Sequence, residues 1–371
     1  MSGIYIHIPF CKQACHYCNF HFSTSIKLKN RLVDAIVKEI QINDFLRGTK
    51  ECTSIYFGGG TPSLLNNEEL KIIFESLNNR YSWSKNIEVT LEANPDDINE
   101  VSLNQWHRAG INRLSIGIQS FFDEDLKWMN RAHSADEAMN SIQLAKEFGF
   151  QNMTIDLIYG SPTTTDEMWK VNIEKTLDLG IQHISAYCLT VEEGTALSHF
   201  IKKGKSAPLD QDKAIEQFNF LMDCLEQKGF DHYEISNFAR KGHRAKHNTS
   251  YWQGKPYIGY GPSAHSFNGM QRQWNIAHNM KYIKALESEI IPSEKEDLTI
   301  VDQFNELVLV RLRTMWGILI DEVAQDFQNH LLKQSEPLIE NGFLQMSDGA
   351  ITLTRQGKHM ADFVSMELMY G

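Results

Sequence analysis

Three cysteines set the first chemical question. Cys11-Lys-Gln-Ala-Cys15-His-Tyr-Cys18 spaces its thiols with three intervening residues and then two. A loop that tight can wrap three thiolates around one centre, and iron–sulfur clusters are held by Cys thiolates. Four cysteines would close a four-iron cluster; three leave one iron open to a further ligand. A structural zinc site wants a fourth protein ligand, and His16 or His21 could supply it. Cys52, Cys188 and Cys224 are scattered along the chain. In a reducing compartment the tight group points to metal or redox chemistry and not to a disulfide framework.

Other residues have the types and placement of ligand contacts. Gly58-Gly59-Gly60-Thr61-Pro62 offers backbone that a ligand can approach closely, plus one hydroxyl. Glu92, Gln119 and Asp156 each sit in or at the end of an apolar run. Far downstream, His247-Asn-Thr-Ser-Tyr251-Trp252 combines an imidazole with two flat aromatic surfaces. Arg240, Lys241, Arg244 and Lys246 precede it as the densest basic run, suited to carboxylates. Gly259-Tyr-Gly-Pro-Ser-Ala-His265-Ser266 is glycine-rich and carries a second candidate imidazole.

These residues need a frame. Apolar, β-branched runs recur at 4–8, 54–57, 87–91, 113–118, 153–158 and 183–189, and amphipathic stretches lie between them. Leu28, Leu32, Ile36 and Ile40 mark one helix face at four-residue spacing. Six strands alternating with helices predict a parallel α/β sheet with right-handed crossovers, either a six-stranded partial barrel or a doubly wound sheet. A helix near 210–228 leads to a run at 233–238. Residues 240–275 then show no clear period, and a loop of that length is commonly functional. Helical signals return at 280–286, 301–312 and 321–341. A hairpin at 342–353 and a last helix from about 355 predict a mainly helical, winged-helix-like C-terminal domain. The expected division is a core at 1–240, a connecting segment at 241–280 and a C-terminal domain at 281–371.

Composition narrows the class. The 371 residues are 42% hydrophobic and 22% charged, which fits a folded globular chain and excludes a fibrous or disordered one. A net charge of −11 argues against general phosphate-backbone binding, so nucleic acid is not an expected partner. No apolar run approaches the roughly 18 residues of a membrane helix. The first residues lack the basic and apolar regions of a signal peptide, so the expected location is the cytoplasm.

The cysteine spacing after a first strand resembles the signature of radical S-adenosylmethionine (SAM) enzymes. Tyr5-Ile-His-Ile-Pro-Phe-Cys11 is similar to the branch that holds oxygen-independent coproporphyrinogen III oxidase, and the likeness continues over nearly the whole chain. The resemblance implies a partial (β/α)6 barrel and a 4Fe-4S cluster on Cys11, Cys15 and Cys18, with SAM chelating the open iron and undergoing one-electron cleavage. It implies SAM contacts at Tyr5, Gly59, Thr61 and Glu92, and contacts linked to a second SAM at Tyr17, Gly60, Gln119, Arg131 and Asp156. Two features depart from the oxidase. The chain lacks its N-terminal extension, and Phe20 stands where the oxidase has a fourth cysteine. Both resemble the HemW-type heme chaperones, as does the His-Asn-x-x-Tyr-Trp motif. That branch implies heme held by His247, as ligand to its iron, with Tyr251 and Trp252. It also implies delivery to acceptor hemoproteins. The oxidase activity is the alternative, and a homodimer is left open.

Overall fold

The computed structural model describes residues 2–46, 48 and 51–371. In chain order the elements of the first unit are β1 (Ser2–Ile8), α1 (Lys29–Ile42), β2 (Glu51–Gly59), α2 (Asn67–Arg80), β3 (Ser82–Ala93), α3 (Glu100–Ala109), β4 (Arg113–Gln119), α4 (Asp123–Trp128), α5 (Ala135–Phe148), β5 (Met153–Tyr159), α6 (Asp166–Asp178), β6 (His183–Cys188), α7 (Ala196–Lys202), α8 (Gln211–Gln227), β7 (Asp231–Glu234) and β8 (Asn237–Ala239). There follow α9 (Lys246–Trp252), β9 (Tyr257–Tyr260), β10 (His265–Phe267), β11 (Gln271–Asn275), α10 (Asn279–Glu287) and β12 (Ser293–Asp297). The C-terminal elements are α11 (Ile300–Leu312), β13 (Ile318–Leu319), α12 (Gln325–Glu340), β14 (Leu344–Ser347), β15 (Ala350–Leu353), α13 (Arg355–His359) and α14 (Ala361–Leu368).

Strands β1 to β6 stand side by side in chain order, each parallel to the next. A doubly wound sheet would reverse its order part-way, so the sequence's two options resolve to the partial barrel. The barrel does not close on itself. β9 joins the free edge of β1 in parallel, with β10, β11 and β12 antiparallel beyond it, while β8 and β7 extend the β6 edge. Alternation along the strands separates two environments. Ile4, Ile6 and Ile8 are fully buried beneath the helix layer, with Leu32, Ile36 and Ile40 of α1 in the same core. The intervening Tyr5 and His7 face inward with Tyr56 and Gly59. Helix starts follow local chemistry: Asn66 with Glu69, Asn99 with Ser102 and Ser134 with Glu137 form capping boxes.

Residues 240–275, without a readable period, fold as α9 and three short strands of the same sheet. The C-terminal unit expected from 281 builds its own core only from Phe304 onward, around Val308, Leu331, Ile351 and Val364. α10 instead packs Tyr282, Ile283 and Leu286 into the barrel core. The helix expected at 321–341 begins as a short 3-10 turn and becomes α-helical at Gln325. The wing is the three-stranded sheet β13-β15-β14. Glu234 bridges to Thr314, and Arg313 sits 3.5 Å from Glu234, fastening this unit to the barrel edge. Among the described residues no helix is long and apolar enough to cross a membrane.

Candidate active site at the mouth of the barrel

The loop after β1 carries the three thiols over the carboxyl ends of the parallel strands, where α/β folds bind ligands. Backbone bonds fix its ends: Cys11 N–H donates to Ser23 O at 3.1 Å and His16 N–H to Met129 O at 3.1 Å. Cys11, Cys15 and Cys18 are thiols outside any disulfide, and all three line one cavity of about 440 Å³. That volume lies in the ~300–1,000 Å³ range of small-molecule sites. The sulfurs do not converge on one point as they stand; among the described residues no three His, Cys, Asp or Glu side chains gather at metal-holding distance. The donor chemistry nevertheless fits an iron–sulfur cluster: three half-buried thiols on one short loop facing one cavity. Burial pushes the Cys11 thiol up to about 11 and raises Cys18 as well, so metal must displace their protons on binding. The zinc option lacks its fourth ligand at the cavity, because neither His16 nor His21 is in its lining. His16 Nδ1 lies 2.8 Å from Trp128 O, and His21 Nε2 lies 2.7 Å from Asn279 Oδ1.

The same cavity is lined by Tyr17, Gly59, Gly60, Thr61, Glu92, Gln119, Arg131 and Asp156. Tyr5 is not in the lining; it lies behind it, its hydroxyl 3.0 Å from His7 Nδ1. The glycines are sterically required. Gly59 has φ 110°, and a Cβ there would lie 2.7 Å from the His7 ring; one on Gly60 would lie 2.7 Å from the Phe10 carbonyl oxygen. Gln119 adopts φ 65°, an uncommon left-handed conformation for a side-chain-bearing residue, at the strand end where it meets the cavity. Arg131 reaches the cluster loop: one guanidinium nitrogen is 3.3 Å from Cys15 Sγ, and the other donates to Asn94 Oδ1 at 2.7 Å and Gly117 O at 2.9 Å. Its Nε is buried with no partner, so a donor is left for a ligand. Glu92 accepts from Tyr56 Oη at 2.8 Å and from Gly59 N–H at 3.2 Å. Burial pushes its carboxyl up to about 7 against those two donors, with Asp156 adding to the rise. Burial likewise lifts Asp156 to about 6, with Ser115 Oγ only 3.5 Å away. Two costly buried carboxyls beside an open cavity are poised for a cationic ligand.

Tyr56, a donor to Glu92, and Asn94, in the cavity lining, are positions that motif reading passed over. The signal lay in the alternation of β2, where Ser54, Tyr56 and Gly58 interrupt the apolar Ile55 and Phe57. Asn94 adjoins Glu92 and donates to Thr61 Oγ1 at 3.2 Å.

The His247 segment sits elsewhere, as α9 under the amino-terminal end of the barrel. Its first two backbone N–H groups donate to Glu88 at 3.0 Å each. His247 is 1% exposed and stacks on Tyr56, ring centroids 5.1 Å apart. Its Nδ1 lies 2.8 Å from Ser54 Oγ and its Nε2 2.7 Å from Tyr251 Oη. Burial, then Arg113, holds its pKa down near 3, so the ring is neutral. A neutral imidazole has one donor and one acceptor nitrogen, and both are spent here. The seated imidazole therefore does not fit as an axial ligand to heme iron. Tyr251 packs edge-on against Tyr257, and Arg313 lies over Trp252. The basic run is also occupied: Arg240 over Phe230, Arg244 on Asp231 at 2.6 Å, Lys246 Nζ on Asn86 O at 2.8 Å. Lys241 is exposed. His265 is exposed beside Trp274, its ring without a hydrogen bond among the described residues.

A barrel with this cysteine loop at its mouth is the architecture of one protein class, and comparison with known proteins gives the same class. The Radical SAM superfamily model matches residues 5–175, and the HemN C-terminal domain model matches residues 298–359. The structure of coproporphyrinogen III oxidase (HemN) from Escherichia coli, a radical SAM enzyme, superposes with TM-score 0.85 over 99% of this chain and 89% of that one, at 22% identity, and so shares the fold. Heme chaperone HemW of Bacillus subtilis is 33% identical over 98% of both chains, and that of Lactococcus lactis 31% identical over 98% of this chain and 96% of its own. The chain belongs to the HemW family, a branch of the HemN-like radical SAM proteins.

Proposed function

We propose that this protein is a heme chaperone that holds a 4Fe-4S cluster on Cys11, Cys15 and Cys18, binds SAM beside it, and passes heme to an acceptor hemoprotein in the cytoplasm. The observation that carries the cluster and SAM reading is the shared cavity. Three thiols and eight of the nine residues expected to touch SAM line one space. Within it Gly59 and Gly60 admit the amino end of SAM, Thr61 offers a hydroxyl, and Glu92 and Asp156 offer carboxylates to its cationic groups and ribose. Arg131 steadies Cys15 from the fourth strand's side. Cys11, Cys15 and Cys18 would hold a cluster that, once reduced by an external one-electron donor, would supply an electron to the SAM sulfonium.

The chaperone reading over the oxidase rests on family membership and on Phe20. The position occupied by a fourth cysteine in the oxidase pattern carries here an aromatic ring 69% exposed beside the cluster loop. The test is anaerobic. Protein reconstituted with iron and sulfide is titrated with SAM and with hemin, then incubated with coproporphyrinogen III, SAM and a reductant. The expected outcome is a cluster of about four irons, hemin uptake visible in the Soret region, and no protoporphyrinogen IX. Catalytic formation of protoporphyrinogen IX would replace the chaperone reading with the oxidase.

A further inference from the structure

Two of the three loop thiols take hydrogen bonds from side chains that hang on one amide. Asn94 follows β3 and stands ahead of the helical turn Pro95–Asp97. Asparagine is a favoured cap at such a position, yet this one makes no cap bond. Its side chain lines the cavity instead. The Arg131 guanidinium carries donors only, so it fixes which way the amide faces. Asn94 Oδ1 accepts from Arg131 Nη2 at 2.7 Å. Asn94 Nδ2 is thereby turned to Thr61 and donates to its Oγ1 at 3.2 Å. Thr61 accepts there, which leaves its own proton for a neighbour, and its hydroxyl hydrogen-bonds Cys11. On the other arm Arg131 Nη1 donates to Cys15 Sγ at 3.3 Å. A Cβ on Gly117 would lie 3.1 Å from Arg131 Nη2, so the bare glycine leaves the guanidinium its place. Cys15 also meets the Tyr17 hydroxyl, and Cys18 takes its bond from the Phe20 backbone; neither contact runs through Asn94.

We propose that Asn94 is a positioning residue for the cluster: through Thr61 and Arg131 it holds hydrogen bonds on the sulfurs of Cys11 and Cys15, and so raises the cluster's reduction potential. The inference rests on the cluster reading above. Reduction adds negative charge, and donors on the ligating sulfurs favour the state that carries it. Arg131 brings a fixed positive charge to the same side. Without the amide, Thr61 loses the donor that orients its hydroxyl. Arg131 keeps Gly117 O at 2.9 Å but loses one of the two anchors that aim Nη1 at Cys15.

The test is a redox titration of the whole chain, reconstituted anaerobically with iron and sulfide and kept free of SAM. The EPR signal of the reduced cluster reads the midpoint potential. Asn94→Ala should keep about four irons. It should shift the one-electron equilibrium about tenfold toward the oxidised form, a potential about 59 mV lower. Thr61→Val removes only the Cys11 arm, so its shift should be in the same direction and smaller. Arg131→Lys keeps the charge but loses the fork that spans Asn94 and Cys15, and its potential should also fall. Adding Thr61→Val to Asn94→Ala should lower the potential little further, because both act on one arm. A native four-iron cluster whose potential is the same in all three single variants overturns the inference and leaves the cluster reading standing. If Asn94→Ala holds no iron, unchanged potentials in Thr61→Val and Arg131→Lys overturn it. A native chain that takes up no iron overturns both.

Discussion

At the mouth of the barrel polar groups outnumber their partners; in the floor the imidazoles have all the partners they can use. Three thiols, Arg131 Nε and the weakly held Asp156 carboxyl face one cavity. Beneath them, Thr154 Oγ1 lies 2.9 Å from His183 Nδ1, and Tyr233 Oη 2.6 Å from His183 Nε2. His247 is engaged through both nitrogens in the same way. The two regions use similar residue types, so type alone does not identify a ligand site. Unspent bonding capacity that faces an open cavity does, because a buried group left unpaired there is costly until a ligand fills it.

The comparison can be broken most forcefully at the cysteines. Replacing Cys11, Cys15 and Cys18 together by Ser should abolish iron binding while leaving the fold intact, since none of the three is in a disulfide and a serine at 15 can still accept from Arg131. The same change at Cys52, Cys188 and Cys224 should leave iron content unchanged. Iron and sulfide analysis after anaerobic reconstitution checks both. In the floor the expectation is reversed. Glu88→Ala removes the acceptor of two α9 backbone N–H groups and leaves Arg113, 3.9 Å away and 1% exposed, without that carboxylate. Removing one partner of a buried ion pair costs about 3–5 kcal/mol, so denaturant midpoints should fall steeply. A smaller effect sharpens the mouth. Glu92→Gln should cost SAM about 1.5–3 kcal/mol, the scale of a hydrogen bond to a charged group, with no comparable loss of fold stability. Smallest is a pH effect in the native protein. Burial holds Glu92 protonated up to about pH 7 and Asp156 to about 6. Raising pH from 6 to 8 ionises both, and a cationic sulfonium prefers the ionised site, so SAM affinity should rise over that window by calorimetry and flatten in Glu92→Gln.

Much of this architecture was legible in the sequence. The six parallel strands announced themselves as near-continuous apolar runs because helices cover one face and an inward layer the other. The cysteine loop was legible because ligand spacing is local. Residues 240–275 were not. Strands of three to five residues and a helix of two turns are too short to show a period, and what stabilises them is contact with β1 and β2, far away in the chain. His247 shows the deeper limit. Its type and motif neighbours were visible, but its saturation by Ser54, nearly two hundred residues upstream, is a property of the packed structure alone.

The pairing of β1 with β9 also sets a timetable. The strand that launches the cluster loop receives one neighbour from β2, but its other edge stays open until residues 257–260 have left the ribosome. Throughout that interval the nascent chain offers an unpaired apolar strand, a template for mispairing. Any cluster inserted early would sit on a loop whose foundation is half built. The support of the cysteine loop is therefore complete only once the strands that follow α9 have locked the first strand in place.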